Sequence, residues 1–247
     1  MIKQNVYDSP CLFPDMDLDS SLSTAKQKQR NRWELKKSRN LGIEFCPTAT
    51  FCGKYGIPLI RKYTDDWPQN FITVSELGTI GGPSIGVAGF DYDYILERFT
   101  SNPELYIPVL SRYKCICEPD FSIKIGDPLA IAVANSFRSH TFSYYLQERG
   151  FKVMSTIKWA MSNSFDVCFS GYEKGGSVIV STIGVMRDER SRYYFERGFT
   201  EMLKRISPDS VGLYGSTNEW IEALMPSQLD VRHFSHNRFN RMRGYGR

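Results

Sequence analysis

The sequence predicts an α/β domain with a mainly parallel sheet, in a three-layer or an open barrel-like arrangement, flanked by helices. The first observation is a strand–helix–strand succession between Arg112 and Trp159. The second is a nearly continuous, β-branched apolar run over residues 177–183, which is typical of a strand covered on both faces. Strand and helix patterns continue to alternate after this run, as a parallel sheet with crossover helices requires.

The central unit shows the expected signals at each of its joints. After the strand Tyr113–Cys117, Asp127 is predicted to cap a long helix and Pro128 to occupy its first position. Gly150 is placed to end this helix, because glycine readily adopts the left-handed conformation found there. A second strand is predicted over residues 151–159, and the long connection favours a right-handed crossover between parallel strands.

Periodicity and turn formers assign the other elements. The sequence predicts short helices over 92–99 and 103–112, a short strand over 165–170, a helix over 190–206, a strand over 211–214, a short helix over 218–225 and an edge strand over 229–234. Within the helix over 190–206, Glu201 and Arg205 are spaced to form an i,i+4 ion pair.

Length and composition fit one large domain with segments at both ends that lack core-forming content. The 247 residues divide into an arm over 1–39, an α/β domain over 40–234 and a tail over 235–247. No window approaches about 18 consecutive apolar residues, so no membrane span is predicted. The acidic N-terminal stretch has no apolar core of a signal peptide, which predicts a cytoplasmic location with reduced thiols.

Positive charge is concentrated at the two ends of the chain. Residues 26–39 carry a net charge of +6 and residues 232–247 carry +5, which leaves −7 for the rest within a total of +4. The tail supplies its charge from Arg232, Arg238, Arg241, Arg243 and Arg247, interleaved with Phe234, Phe239 and Tyr245. This mixture suits phosphate contacts and base stacking, which predicts non-specific association with single-stranded DNA or RNA. A tail that only solubilises the protein is the alternative.

Four blocks of sequence together carry a family resemblance. They are YDYILERFTSNPELYIPVLSRY, CEPDFS, FRSHTFSYYLQERGFKVMSTIKW and RDERSRYYFERGFTEMLKRISPDSVGLYGST. In this order they resemble DUF4417, a family of domains of unknown function found in phages and other mobile elements. The resemblance covers about residues 43–220 and implies an accessory protein of a phage or mobile element, located in the host cytoplasm. It implies that the motif blocks contain Asp120, Arg138, Trp159, Gly184, Tyr214 and Gly215, and it implies no particular activity.

The end of the first central strand carries the main catalytic candidate. In parallel sheets, ligands bind outside the carboxyl ends of the strands. Asp120 follows the strand Tyr113–Cys117, with Glu118 two residues earlier, so the two form a possible carboxylate pair for acid–base or metal chemistry. The alternative is that Asp120 caps a turn or pairs with Arg138.

Arg138 is the second catalytic candidate. It shares a helical stripe with Ile131, Asn135, Phe142 and Tyr145, so its guanidinium is expected to need a partner. That partner is either Asp120 or an anionic ligand, and phosphate matches the guanidinium fork best.

The remaining ligand-binding candidates lie at other predicted strand ends. They are Trp159, Thr182, Gly184, Arg187, Tyr214, Gly215 and Ser216. The turn over residues 214–217 either cradles an anion at a helix N-terminus or is a tight turn with Ser216 or Thr217 as the N-cap. An enzyme acting on an anionic, phosphate-bearing substrate is therefore the alternative to nucleic-acid association.

No motif names a cofactor. The glycine-rich stretch over 78–89 does not match the dinucleotide-binding pattern, and no P-loop occurs. Cys46 and Cys52 lack a strong zinc spacing, and Cys115 and Cys117 are expected to face opposite sides of their strand. No metal site is therefore predicted.

Overall fold

The computed structural model describes residues 41–79 and 81–235. Its centre is a seven-stranded, wholly parallel sheet whose strands follow one another in sequence order. A small antiparallel hairpin of β1 (Phe51–Cys52) and β2 (Ile57–Pro58) precedes it. The sheet contains β3 (Asn70–Thr73), β4 (Gly82–Ala88), β5 (Tyr113–Cys117), β6 (Val153–Thr156), β7 (Ser177–Ser181), β8 (Ser210–Tyr214) and β9 (Asp230–Phe234).

Helices occupy the connections between these strands. They are α1 (Asp93–Ser101), α2 (Ile107–Leu110), α3 (Leu129–Glu148), α4 (Phe165–Cys168), α5 (Glu189–Ile206) and α6 (Glu219–Ala223). The predicted α/β fold with a parallel sheet is confirmed, including the parallel pairing of β5 with β6 and the edge position of β9. The ion pair between Glu201 and Arg205 is present at 2.6 Å.

The sheet curls into an open, barrel-like form. Side chains from every strand of the sheet pack into one interior cluster, in which Phe71 of β3 meets Phe234 of β9. Their ring centroids lie 4.7 Å apart, edge to face, although β3 and β9 are not paired as neighbouring strands. The outer face of the sheet packs against the helices in two further clusters. This arrangement brings the carboxyl ends of all seven strands to one end of the open barrel.

The structure corrects three local predictions. Residues Phe165–Cys168 form a helical turn, whereas the sequence predicted a strand over 165–170; periodicity does not separate helix from strand in so short an apolar segment. Asp127 does not cap α3; its carboxylate accepts a hydrogen bond from the backbone of Lys124, and Pro128 is the N-cap residue. Cys115 and Cys117 do not face opposite sides: residues two apart on a strand share a face, and both pack in the interior.

Several predictions fall outside the described residues. These include the arm over 1–39 and the part of the tail from residue 236 onward. Among the residues that the structure does describe, no helix combines the length and apolar character that a membrane crossing needs.

Candidate functional site

A cavity of about 600 Å³ opens where β5, β6 and β7 end. We call it the strand-end cavity. Its wall consists of the segments that follow these three strands together with the first turns of α5, and includes Asp120, Ile123, Lys124, Lys158, Trp159, Ser181, Ile183, Arg187, Asp188, Arg190, Tyr194 and Phe195. This is the position at which parallel α/β folds bind their ligands.

Asp120 and Lys158 are the least exposed charged side chains of this wall. Asp120 lies three residues beyond β5 and Lys158 two residues beyond β6, so the parallel pairing of these strands brings them together. The carboxylate oxygen Oδ1 and the ammonium Nζ are 3.9 Å apart, with side-chain exposures of 27% and 9%. The pair is therefore an electrostatic contact without a direct hydrogen bond.

Neutral groups, not the carboxylate, hold the amine of Lys158. Its Nζ donates to Ser139 Oγ at 2.8 Å and to the backbone oxygen of Pro119 at 3.1 Å. Burial lowers the pKa of Lys158, and the negative charge of Asp120 only partly opposes this. Burial likewise raises the pKa of Asp120, against the effect of Lys158. Both shifts favour the uncharged forms, so proton transfer between the two groups costs less than it does in water.

The rim of the strand-end cavity is cationic. Lys124, Arg187 and Arg190 are exposed and line its opening. Among the described residues, the acid of the wall that lies beside them is Asp188, which caps α5 by accepting a 2.7 Å hydrogen bond from the backbone of Ser191. That hydrogen bond lowers the pKa of Asp188, so Asp188 remains a carboxylate that caps the helix.

Trp159 forms a fixed part of the wall. Its indole nitrogen donates to the backbone oxygen of Tyr194 at 3.0 Å, and its ring contacts Phe195 with centroids 5.5 Å apart. The ring lies directly against Gly198 of α5, where an added Cβ would stand 2.0 Å from the indole nitrogen. A glycine is therefore required at this point for α5 to approach the indole.

Glu118 lies in a separate, fully buried cluster next to the cavity. Its carboxyl group faces two rings: Oε2 accepts a hydrogen bond from the hydroxyl of Tyr172 at 3.0 Å, and Oε1 is 3.4 Å from Nε2 of His140. The other imidazole nitrogen of His140 is 2.8 Å from the backbone oxygen of Pro58. Neither Glu118 nor His140 has more than 1% of its side chain exposed.

The contacts of His140 determine where the proton of this cluster lies. A carbonyl oxygen can only accept, so Nδ1 of His140 carries the hydrogen and Nε2 of the neutral ring is an acceptor. Burial lowers the pKa of His140 to about 3 and raises that of Glu118 to about 8. At neutral pH, Glu118 is therefore the protonated acid, although Oε1 and Nε2 of His140, 3.4 Å apart, form no direct hydrogen bond.

The structure separates Arg138 from the other predicted catalytic residue. Its guanidinium lies 3.4 Å from the ring centroid of Phe121 and 3.1 Å from Glu97 of α1. It lines a second cavity between α1, α3 and the segment near Phe45, not the strand-end cavity. The hypothesis that Arg138 pairs with Asp120 is wrong, because α1 supplies its carboxylate partner.

The other predicted ligand residues divide into two groups. Trp159, Gly184 and Arg187 line the strand-end cavity together with Asp120. The residues outside its wall are Glu118, Thr182, Tyr214, Gly215 and Ser216. The backbone N–H of Gly215 donates to Phe234, so it is not directed at an anion. The short helix that follows is capped by Asn218 and not by Ser216 or Thr217.

Sequence reasoning missed Lys158, Lys124 and Arg190 as parts of the site. A weak signal existed for Lys158, since a lysine directly before Trp159 at a buried strand end needs an explanation. Among the arginines proposed for nucleic acid, Arg232 lies on β9, 3.2 Å from Asp230. Arg238, Arg241, Arg243 and Arg247 lie outside the described residues.

Curated proteins similar to part of the chain come from mycobacteriophages. The Gene 1 protein of Mycobacterium phage D29 is 34% identical over 123 residues, which are 50% of this chain and 46% of that protein. The Gene 1 protein of Mycobacterium phage L5 is 31% identical over 123 residues, which are 50% of this chain and 54% of that protein. The chain spans about half the length of the curated relatives it matches. No solved structure shows a significant match.

A family profile matches most of the described domain. The profile described as "Domain of unknown function (DUF4417)" covers residues 49–234. That range includes the whole curled sheet and every residue of the strand-end cavity. The chain therefore belongs to the DUF4417 family.

Proposed function

We propose that the protein is an enzyme that acts on a small, phosphate-bearing substrate in the strand-end cavity. The observation that carries this proposal is the division of charge within one cavity. Exposed cations surround its opening, and the acid–base pair of Asp120 and Lys158 lies further inside. A pocket of about 600 Å³ has the size of a small-molecule site.

The rim is suited to an anionic group. Arg187 and Arg190 present guanidinium groups, whose planar forks match phosphate oxygens with two parallel hydrogen bonds. Of the two carboxylates next to these arginines, Asp188 is occupied by its hydrogen bond to the start of α5, and the exposed Glu189 does not line the cavity. The net charge of the rim is therefore positive, which attracts anions before any direct contact forms.

The inner pair supplies groups for proton transfer. Burial brings the pKa values of Asp120 and Lys158 towards each other, because it disfavours the charged form of both. Groups whose pKa values approach neutrality exchange protons with a substrate most efficiently. The cavity thus combines a site for binding an anion with a site for acid–base chemistry.

Binding of inorganic phosphate and of small phosphate monoesters tests this function by titration calorimetry. The variant carrying Arg187→Ala and Arg190→Ala is expected to lose at least about tenfold in affinity, since bidentate charge-assisted hydrogen bonds are removed. Arg197→Ala is the matched control, because Arg197 is exposed on the same helix and does not line the cavity. Equal phosphate affinity in all three proteins rules out the rim as the anion site.

The charge distribution of the sequence favours a second candidate function. Non-specific association with single-stranded DNA or RNA would use the basic segments 26–39 and 232–247, because the remainder of the chain is acidic. The aromatic residues Phe239 and Tyr245 would add base stacking, worth about 1–3 kcal/mol per base. In this function the phosphate contacts are made by the ends and not by the strand-end cavity.

A salt titration distinguishes the second candidate from the first. The full chain is compared with a version that ends at Ser235, which retains all of β9. For single strands, the logarithm of the binding constant should fall with the logarithm of salt by about 0.7 per phosphate contacted, and the shortened protein should show a smaller slope. Identical slopes and affinities would remove the tail from the mechanism.

A further inference from the structure

We propose that Lys158 is a nucleophile that forms an imine, and that the substrate is an aldehyde or ketone bearing a phosphate group. The phosphate part of this substrate class rests on the function proposed above. The carbonyl part rests on the surroundings of the amine alone, so the two parts can fail separately.

The hydrogen bonds of Lys158 match a neutral amine. A neutral amine has two N–H bonds and one lone pair, whereas an ammonium has three N–H bonds. Nζ has two acceptors within hydrogen-bond distance, Ser139 Oγ at 2.8 Å and the backbone oxygen of Pro119 at 3.1 Å. These two contacts satisfy both N–H bonds of the neutral form and leave the lone pair for a third partner.

The position of Asp120 argues against a purely structural ion pair. A lysine retained only to neutralise a carboxylate is expected to donate to it directly, at about 2.7–2.9 Å. Here the two atoms are 3.9 Å apart, and both residues line the same cavity. The separation allows a substrate atom to approach both groups.

The local environment favours the reactive form of the amine. Only 9% of the Lys158 side chain is exposed, and burial lowers its pKa. Desolvation of a lysine in this way is a recognised route to an amine that attacks carbonyl groups.

Asp120 can move each proton that imine formation requires. It first takes a proton from the ammonium, and the neutral amine then forms a bond to the carbonyl carbon. As the C=O π bond opens, the carbonyl oxygen receives the proton from Asp120. The added nitrogen next returns a proton to Asp120, which delivers it to the hydroxyl group as the C–O bond breaks. Water leaves, a protonated imine remains on Lys158, and Asp120 is again a carboxylate.

Reductive trapping of the wild-type protein tests the proposal. The protein is incubated with D-glyceraldehyde 3-phosphate or with unphosphorylated D-glyceraldehyde, cyanoborohydride reduces any imine to a stable amine, and peptide mass spectrometry locates the label. Lys124 is the internal control, because it lines the same cavity but is exposed. We expect label on Lys158 to accumulate at least about tenfold faster than on Lys124, and faster with the phosphorylated aldehyde.

Each outcome of this experiment decides one part of the proposal. Equal labelling of Lys158 and Lys124 overturns the imine, and phosphate binding at the rim can still be present in calorimetry. Preferred labelling of Lys158 without any advantage for the phosphorylated aldehyde supports the imine and overturns the phosphate part. The variants Lys158→Met and Lys124→Met confirm which lysine carries the label. If Lys158→Met does not fold, the mass-spectrometric comparison of Lys158 with Lys124 in the wild-type protein still decides the outcome.

Discussion

The imidazole nitrogen Nε2 of His140 lies 3.4 Å from the carboxyl oxygen Oε1 of Glu118, and both side chains are fully buried. Glu118 keeps its proton at neutral pH and His140 stays uncharged, because burial opposes charge on either partner. Loss of that proton leaves a carboxylate inside the protein. The stability of the domain is therefore linked to pH through this pair.

The free energy of unfolding of the wild type should fall as pH rises, and the variant Glu118→Gln should show a smaller fall. The pKa of Glu118 is raised from 4.5 to about 8, so its contribution is fully present below pH 4.5 and is lost as pH rises through about 8. His140 has the opposite sign, with a contribution present above pH 6.5 and lost as pH falls towards 3. Between pH 6.5 and 8, only Glu118 of this pair titrates, and it lowers the free energy of unfolding by up to about 1.4 kcal/mol per pH unit.

Urea unfolding at several pH values between 6.5 and 8 measures this slope. Glutamine can donate its amide hydrogen to His140 and accept from Tyr172, so Glu118→Gln should fold and show a flatter curve. Glu148→Gln, at an exposed position on the same helix as His140, should follow the wild type. Parallel curves for the wild type and Glu118→Gln would mean that Glu118 does not titrate in this range.

The variant Tyr172→Phe should destabilise the domain by about 1–3 kcal/mol, because it leaves a buried oxygen of Glu118 without its donor. The loss should increase with pH, since a carboxylate needs the donor more than a protonated acid does. Urea unfolding at pH 6 and pH 8 measures the difference. If Tyr172→Phe lowers the free energy of unfolding equally at both pH values, Glu118 does not lose its proton between pH 6 and pH 8.

The variant Gly198→Ala should displace Trp159 and destabilise the domain by about 1–3 kcal/mol, because the new methyl group would overlap the indole ring. Unfolding curves and tryptophan fluorescence report the two effects. Gly82→Ala is the control, since a Cβ at Gly82 meets no atom within 4 Å. A Gly198→Ala protein with wild-type stability and fluorescence would show that α5 shifts freely away from the ring.

The variant Arg138→Met should leave phosphate binding unchanged. Arg138 lines a different cavity, and its partner Glu97 is 58% exposed, so loss of the pair should cost less than about 1 kcal/mol. Calorimetry with inorganic phosphate and a thermal melt measure both quantities. Loss of phosphate binding in this variant alone would restore Arg138 to the ligand site that the sequence predicted.

Five of the seven strands, β5 to β9, were predicted from the sequence, whereas β3 and β4 were not. The runs that form β7 and β8 are buried on both faces, so their apolar character is visible without knowledge of their neighbours. Phe165–Cys168 lacked this information, because a segment of four residues is too short for its periodicity to separate a helical turn from a strand. The curl that joins Phe71 to Phe234 is a property of the whole sheet and has no local signature.

The sequence predicted only those residues of the candidate site that lie at the end of a predicted strand. Asp120 and Trp159 were found because they follow strand ends, and both line the cavity. The neighbours of Arg138 depended on how α1 packs against α3, which periodicity within α3 cannot reveal. The contact between His140 and Pro58 likewise joins distant parts of the chain, so the tautomer of His140 and the proton on Glu118 were beyond sequence reasoning.

The contact between Phe71 and Phe234 also determines when the interior can close during synthesis. Phe71 lies on the first strand of the sheet and Phe234 at the end of the last. The ribosome therefore adds Phe71 before the other strands are made and Phe234 after all of them. A nascent chain that has completed β3 to β8 still exposes the apolar face that Phe234 covers. Contacts of such long sequence separation form slowly, and the partly made sheet is exposed to aggregation in the meantime. The final closure of the open barrel therefore takes place only after translation has passed β9.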